Sequence, residues 1–235
     1  MDDAGAIASF ALWYGAFLFS LTCHEAAHAF VAWRGGDDTA YRSGQVTLNP
    51  IPHVMREPVG TVLLPLFSFV FAGGMIGWAS APYDPRWEDR HPRRAALMSA
   101  AGPATNLLLA AVAFAVLYAG LSSGAWTVPP VQGLDRLVEA REQAAAWVHW
   151  VGHLASVFLS LNVLLALLNA LPCPPLDGAA VLAGLVPALR HPYRALRGST
   201  IAPLAGLVVA VLAVRTLYYP LLQLVLGWLH GGVIG

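Results

Sequence analysis

His24-Glu25-Ala26-Ala27-His28 sets two imidazoles four residues apart, with a carboxylate beside the first. On a helix, residues four apart lie one above the other on one face. Two imidazoles so placed can bind one Zn²⁺ from adjacent turns, and Glu25 can reach a water on the same metal. Zinc brings the pKa of such a water to roughly 7, and a glutamate takes its proton as the water attacks a carbonyl. From this composition the pattern arises by chance on the order of once in two hundred such chains. Its setting sharpens the signal, because ionisable residues inside an apolar segment are costly to bury and usually serve a function. The competing reading is a polar cluster that only packs helices.

A catalytic zinc takes three protein ligands, so a third donor must return to the same depth. The run from Asn169 to Gly178 offers two candidates. Pro172, Pro174 and Pro175 must unwind the helix there. Broken helices at membrane depth expose backbone and side-chain groups to a site. Asp177 is the only carboxylate between Trp147 and Leu189. Cys173 is its rival, since thiolate binds zinc well. A disulfide between Cys23 and Cys173 is the other use of the two cysteines, and a cytoplasm-facing site disfavours it. His149 and His153 are also four apart. No Glu follows His149, and both lie toward the predicted outer end of their segment, which suits an interfacial or packing role. His53, His91, His191 and His230 fall in loops or near segment ends and take no role.

The elements that carry these residues are apolar. Of 235 residues, 57% are hydrophobic and 11% charged, against roughly a quarter charged in a soluble domain. A bilayer resolves that shortage of polar cover. The net charge of zero gives no pointer to nucleic acid. A crossing helix needs ~20 mostly apolar residues. Residues 6–32, 61–78, 95–121, 147–171 and 201–229 are candidates, and 176–189 is a shorter apolar piece that completes the fourth. The expected fold is an all-α polytopic membrane protein with about five to six segments and a small β element near the active site. It forms a single domain over 1–235, with core helices at about 6–32, 95–121 and 147–189 and a C-terminal helix at about 201–229. The stretch from Tyr41 to Leu48 reads as extended.

All thirteen basic residues are arginine. Ten lie in three stretches: Arg34, Arg42 and Arg56; Arg86, Arg90, Arg93 and Arg94; Arg190, Arg194 and Arg197. The positive-inside rule puts all three in the cytoplasm. That requires 61–78, with Pro65, Gly73 and Gly74 as helix breakers, to dip in and return. An ordinary crossing is the alternative. Both halves of the site then sit toward the inner ends of their segments.

These motifs resemble those of the site-2 proteases, a family of intramembrane zinc metalloproteases. The likeness rests on His24–His28 and on Asn169 to Gly178, which resembles the family's N-x-x-P-x-P-x-L-D-G run. Gly44-Gln45-Val46-Thr47-Leu48-Asn49-Pro50 is similar to a strand segment of short members, and Ala101-Gly102-Pro103 with Asn106 to the next helix. The resemblance covers the chain to about Gly178. It implies one Zn²⁺ held by His24, His28 and Asp177, with Glu25 as base. It implies that Asn169, Pro172 and Pro174 line the substrate site, Pro175 helping to hold the backbone open. It also implies that the segment with Thr47 and Asn49 pairs with unwound substrate by strand addition. The substrates implied are transmembrane proteins in the lipid bilayer. The expected location is a multi-pass protein of a prokaryotic cell membrane, its active site toward the cytoplasm. No PDZ or nucleotide-sensing domain is expected, nor the extra first helix that many members of the family carry. A catalytically silent zinc-binding tether and, last, a metal transporter are the competing functions.

Overall fold

Leu-, Ala- and Val-rich runs with few internal charges satisfy their backbone polar groups as helices, which a bilayer demands. The computed structural model describes residues 3–72 and 74–234. Gly73, one of the expected breakers, lies outside the described residues. Helix α1 covers Asp3–Arg34, α2 Thr39–Arg42 and α3 Pro50–Arg56. A π-helical turn over Val59–Leu63 leads into α4, Leu64–Ala72. Helices α5 (Pro85–Arg90) and α6 (Pro92–Ser122) follow. Strands β1 (Trp126–Thr127) and β2 (Glu139–Ala140) pair antiparallel in the connection to α7, Ala146–Ala170. The chain ends with α8 (Asp177–Leu185), α9 (Arg190–Arg197) and α10 (Ala202–Ile234). Among the described residues, four helices are long and apolar enough to cross a membrane: α1, α6, α7 and α10. The bent pair of α3 and 59–71 makes a fifth if it is one span.

Helix α6 is the centre of the bundle, packed along α1, α7 and α8. In lipid, helices gain little by hiding apolar surface from one another, so close packing of small residues does the work. The α6–α8 contact shows it. Gly178, Ala179, Ala183 and Gly184 are buried on α8. A Cβ on Gly184 would strike the Pro92 carbonyl, and one on Gly178 the Ala170 and Leu171 carbonyls. The larger apolar cluster joins α6, α7 and α10 through Leu117, Leu159, Leu222 and Leu229. The connection between α6 and α7 is folded back onto it by Trp126, whose Nε1 donates to the Val148 carbonyl at 3.1 Å.

The segment 59–80 goes out and returns. The α3 axis and the following helix meet at 110°. After α4 the chain runs back beside it without regular structure. Ile76 N–H donates to Ser68 Oγ at 2.9 Å, and Trp78 N–H donates to the Gly60 carbonyl at 3.1 Å. A side chain on Gly60 would overlap Trp78, so glycine is what lets the two limbs touch.

One expectation is corrected. Residues 44–49 form turns and bends, not a strand. Gly44, at φ +72°, ends α2. His53 Nε2 then donates to the Thr47 carbonyl at 3.0 Å, and Gln45 Nε2 to the Pro52 carbonyl at 2.9 Å, folding the segment onto α3. The strand pair sits instead in the α6–α7 connection.

The three arginine-bearing stretches are tied together at one end of the bundle. Arg94 Nη1 and Trp87 Nε1 both donate to the Gly35 carbonyl, at 3.0 and 3.1 Å. Arg197 pairs with Glu88 at 3.0 Å and donates to the Tyr83 hydroxyl, while Arg194 pairs with Asp89. Burial and the nearby Glu88 push the Tyr83 hydroxyl well above its usual range, so it stays neutral. Buried Asp37 accepts the Asp84 N–H at 2.7 Å.

Helix α10 approaches the proline-bearing loop closely at Gly206. A Cβ on Gly206 would collide with the Pro174 carbonyl, which is backbone and cannot rotate away. Gly206→Ala is expected to cost about 1–3 kcal/mol by overpacking, read as a lower melting temperature in detergent. An unchanged melting temperature would mean that α10 does not brace this loop.

Candidate metal centre

His24 and His28 stand on consecutive turns of α1, with ring centroids 4.6 Å apart and planes at 82°. Their Nε2 atoms are 2.9 Å apart. Asp177 Oδ2 completes a triangle, 3.1 Å from His24 Nε2 and 3.3 Å from His28 Nε2. All three residues are largely buried. Asp177 arrives there because the proline run ends α7 at Ala170 and the chain restarts as α8 at Asp177 itself. The first turn of a helix also favours a carboxylate.

The opposite edge of each ring is occupied. His28 Nδ1 donates to the Met98 carbonyl at 2.7 Å, and His24 Nδ1 meets Asn106 Oδ1 at 2.6 Å. Each ring therefore carries its proton on Nδ1 and turns the Nε2 lone pair inward. Asp177 Oδ2 is buried with no hydrogen-bond partner. Three acceptors thus face one another. One extra proton could bridge two of them and would leave the third against a lone pair. A cation satisfies all three. Ligand atoms around a tetrahedral zinc, each ~2.0–2.2 Å from it, lie roughly 3.3–3.5 Å apart, close to the triangle seen. Gly102 of α6 faces it, and a Cβ there would crowd both Nε2 atoms equally. The missing side chain leaves space where both lone pairs point, so the donor set fits zinc.

Glu25, buried beside His24, has a carboxylate oxygen within 4.8 Å of the ligand atoms of both imidazoles. Cys173 lies in the loop 171–176, and both cysteines are free thiols. Asp177 rather than Cys173 is the group in contact with the two imidazoles. His149 and His153 lie near the far end of α7, and among the described residues they join no metal-binding group. Asn169 turns its amide nitrogen back to the Leu165 carbonyl at 3.0 Å. Pro172 is exposed and Pro174 half-buried. Thr47 Oγ1 accepts from Asn49 N–H, and Asn49 Oδ1 caps α3 by accepting from Ile51 N–H. Thus Asn169, Thr47 and Asn49 are committed to local hydrogen bonds and make none with the triangle.

Sequence reasoning missed Asn162, which donates to Ser20 Oγ on α1 and accepts from Asn106 Nδ2 on α6. The available signal was an amide set in the middle of a largely apolar crossing segment.

A helical bundle whose centre turns two imidazole nitrogens and a carboxylate oxygen toward one point points to the class, an integral membrane metalloprotein. Residues 13–213 match peptidase family M50. The chain is 36% identical over 171 residues to "Putative zinc metalloprotease YwhC" of Bacillus subtilis, covering 72% of this chain and 67% of that one. It is 34% identical over 173 residues to "Putative zinc metalloprotease Rip2" of Mycolicibacterium smegmatis, covering 74% of this chain and 56% of that one. Rip2 of Mycobacterium tuberculosis is 35% identical over 166 residues, 71% of this chain and 54% of its own. The chain thus matches about two thirds of YwhC and little more than half of either Rip2. No solved structure matches. The chain belongs to peptidase family M50, the site-2 protease family, and is by that membership a zinc metalloprotease.

Gly102→Ala is expected to fill the space between the imidazoles and abolish stoichiometric zinc binding. Elemental analysis of the purified variant checks this. A full complement of zinc would show that the metal does not sit against α6.

Proposed function

We propose that this chain hydrolyses peptide bonds within or near transmembrane helices of substrate proteins, with His24, His28 and Asp177 as zinc ligands and Glu25 as general base. The observation that carries the reading is the inward-facing triangle of Nε2, Nε2 and carboxylate oxygen, with one further carboxylate, Glu25, beside it. Zinc, when bound, supplies Lewis acidity, which lowers the pKa of a water to about 7 and polarises a carbonyl. Glu25 takes the proton of the attacking water and passes it to the leaving amide nitrogen, so oxygen adds to the carbonyl carbon as the C–N bond breaks. Asn106 and the Met98 carbonyl hold the imidazoles in place through Nδ1. A helical substrate hides its carbonyls in hydrogen bonds, so it must unwind first. Exposed Pro172 and half-buried Pro174 border the unwound loop beside Asp177. Asn169 would contribute there only after its amide leaves the Leu165 carbonyl.

The site opens toward the cytoplasm of a bacterial cell in this reading, and residues 1–235 act as one membrane-embedded unit. The segment 61–78 is re-entrant. Two observations support the arrangement: ten arginines are gathered at one end, and the return limb brings Trp78 back to Gly60.

Glu25→Gln keeps the size of the side chain and removes the base. It is expected to retain zinc and lower turnover of single-span helical substrates in detergent by roughly 10²–10⁴-fold. Equal cleavage by both proteins would refute Glu25 as base. Zinc in both with cleavage by neither would favour the silent tether. A second prediction concerns side. In a chain lacking Cys23 and Cys173, Ala81→Cys should react with a membrane-impermeant maleimide from the cytoplasmic face only, and labelling from outside would make 61–78 a crossing.

A further inference from the structure

His24 differs from His28 in how its ring is held. His28 Nδ1 donates to a backbone carbonyl, which can only accept. His24 meets the side-chain amide of Asn106, whose oxygen and nitrogen have nearly the same shape. Turned over, that amide would present its NH₂ to Nδ1. The ring would then have to carry its proton on Nε2, and the lone pair facing the triangle would be gone.

The direction of the amide is set farther away. Asn162 Nδ2 donates to the Phe158 carbonyl and to Ser20 Oγ, both at 2.9 Å. The carbonyl cannot donate, so the nitrogen of Asn162 must face it and the oxygen must face away. That oxygen accepts from Asn106 Nδ2 at 2.8 Å. The oxygen of Asn106 is thereby left for His24 Nδ1, at 2.6 Å. Ser20, Asn106 and Asn162 are all 0% exposed, so no bulk water offers a substitute partner, and reversing either amide alone sets like groups against each other, oxygen against oxygen or nitrogen against nitrogen.

We propose that Asn162 is a positioning residue of the zinc site, fixing the direction of this chain so that His24 presents an unprotonated Nε2 to the metal. The inference rests on the zinc reading above. Asn162 touches neither the metal ligands nor a substrate and acts through Asn106.

The test uses the full chain in detergent. Zinc affinity, by competition with a chromogenic chelator, and melting temperature are measured for wild type, Asn162→Leu and Asn162→Asp. Leucine keeps the bulk without an acceptor, whereas aspartate still offers an oxygen to Asn106 Nδ2. Asn162→Leu is expected to weaken zinc binding ~10–100-fold, and Asn162→Asp to stay within about threefold of wild type. Wild-type affinity in the leucine variant overturns the proposal. So does equal weakening by both variants, which assigns the loss to packing. Should the leucine variant not fold, the wild type decides. Nitrogen-15 NMR of the zinc-stripped chain, at a pH where imidazole is neutral, should find the His24 proton on Nδ1, and a proton on Nε2 overturns the inference. Failure of wild type to bind zinc would instead overturn the metal-centre reading, and the ring measurement would still decide the direction of the chain.

Discussion

Polar groups placed at membrane depth have no water to fall back on, so each must find its partner within the protein. Two buried asparagines at the centre of this bundle do so. Asn162 is satisfied by Phe158, Ser20 and Asn106, and Asn106 by His24. The conspicuous remainder is the inner triangle of two imidazole nitrogens and one carboxylate oxygen. Its members cannot satisfy one another, because all three are acceptors once both Nδ1 positions hold protons. The surrounding hydrogen bonds therefore create a demand for a cation and fix its place.

Holding three acceptors this close constrains the backbone. Helix α1 supplies two from consecutive turns, which a regular helix does at no cost in geometry. The third must come from another element whose backbone approaches closely. A continuous helix through residues 170–177 would not begin a new turn at Asp177, and the prolines prevent one. The restart then needs room. Glycines at 178 and 184 let α8 lie against the end of α7 and the start of α6, and Gly102 leaves the imidazoles unobstructed. Small residues that look like ordinary membrane packing are thus spent on bringing one carboxylate to one point.

Much of this could be read from the sequence, for physical reasons that differ by residue. His24, Glu25 and His28 are legible because helical periodicity alone sets their relation. Asp177 is legible because charge is rare in such a segment and prolines announce the break. The long helices follow from composition, and the gathered arginines from their spacing along the chain. The segment 44–49 was not legible. Val46, Thr47 and Leu48 suit a strand, but side-chain bonds from Gln45 and His53 fold the segment onto α3 instead. Such tertiary choices override local preference. Asn162 was hidden for another reason: its partners lie 56 and 142 residues away, and no periodicity encodes them. Gly206 was hidden likewise, being one glycine among many until its neighbour is known.

The depth of the triangle ties the fold to the chemistry. His24 precedes Arg34 by ten residues, and Gly102 follows Pro92 by ten, so each helix places the site roughly 15 Å from its arginine-bearing end. Two independent helices thus place it at the same distance from the arginine-bearing end of the bundle. The unwound loop 171–176 offers a break in the helical wall beside Asp177, with α10 braced against Pro174 on its other side. Glu25 is buried on α1, the helix that also carries both imidazoles. The distance between this carboxylate and the imidazoles is kept by the pitch of α1.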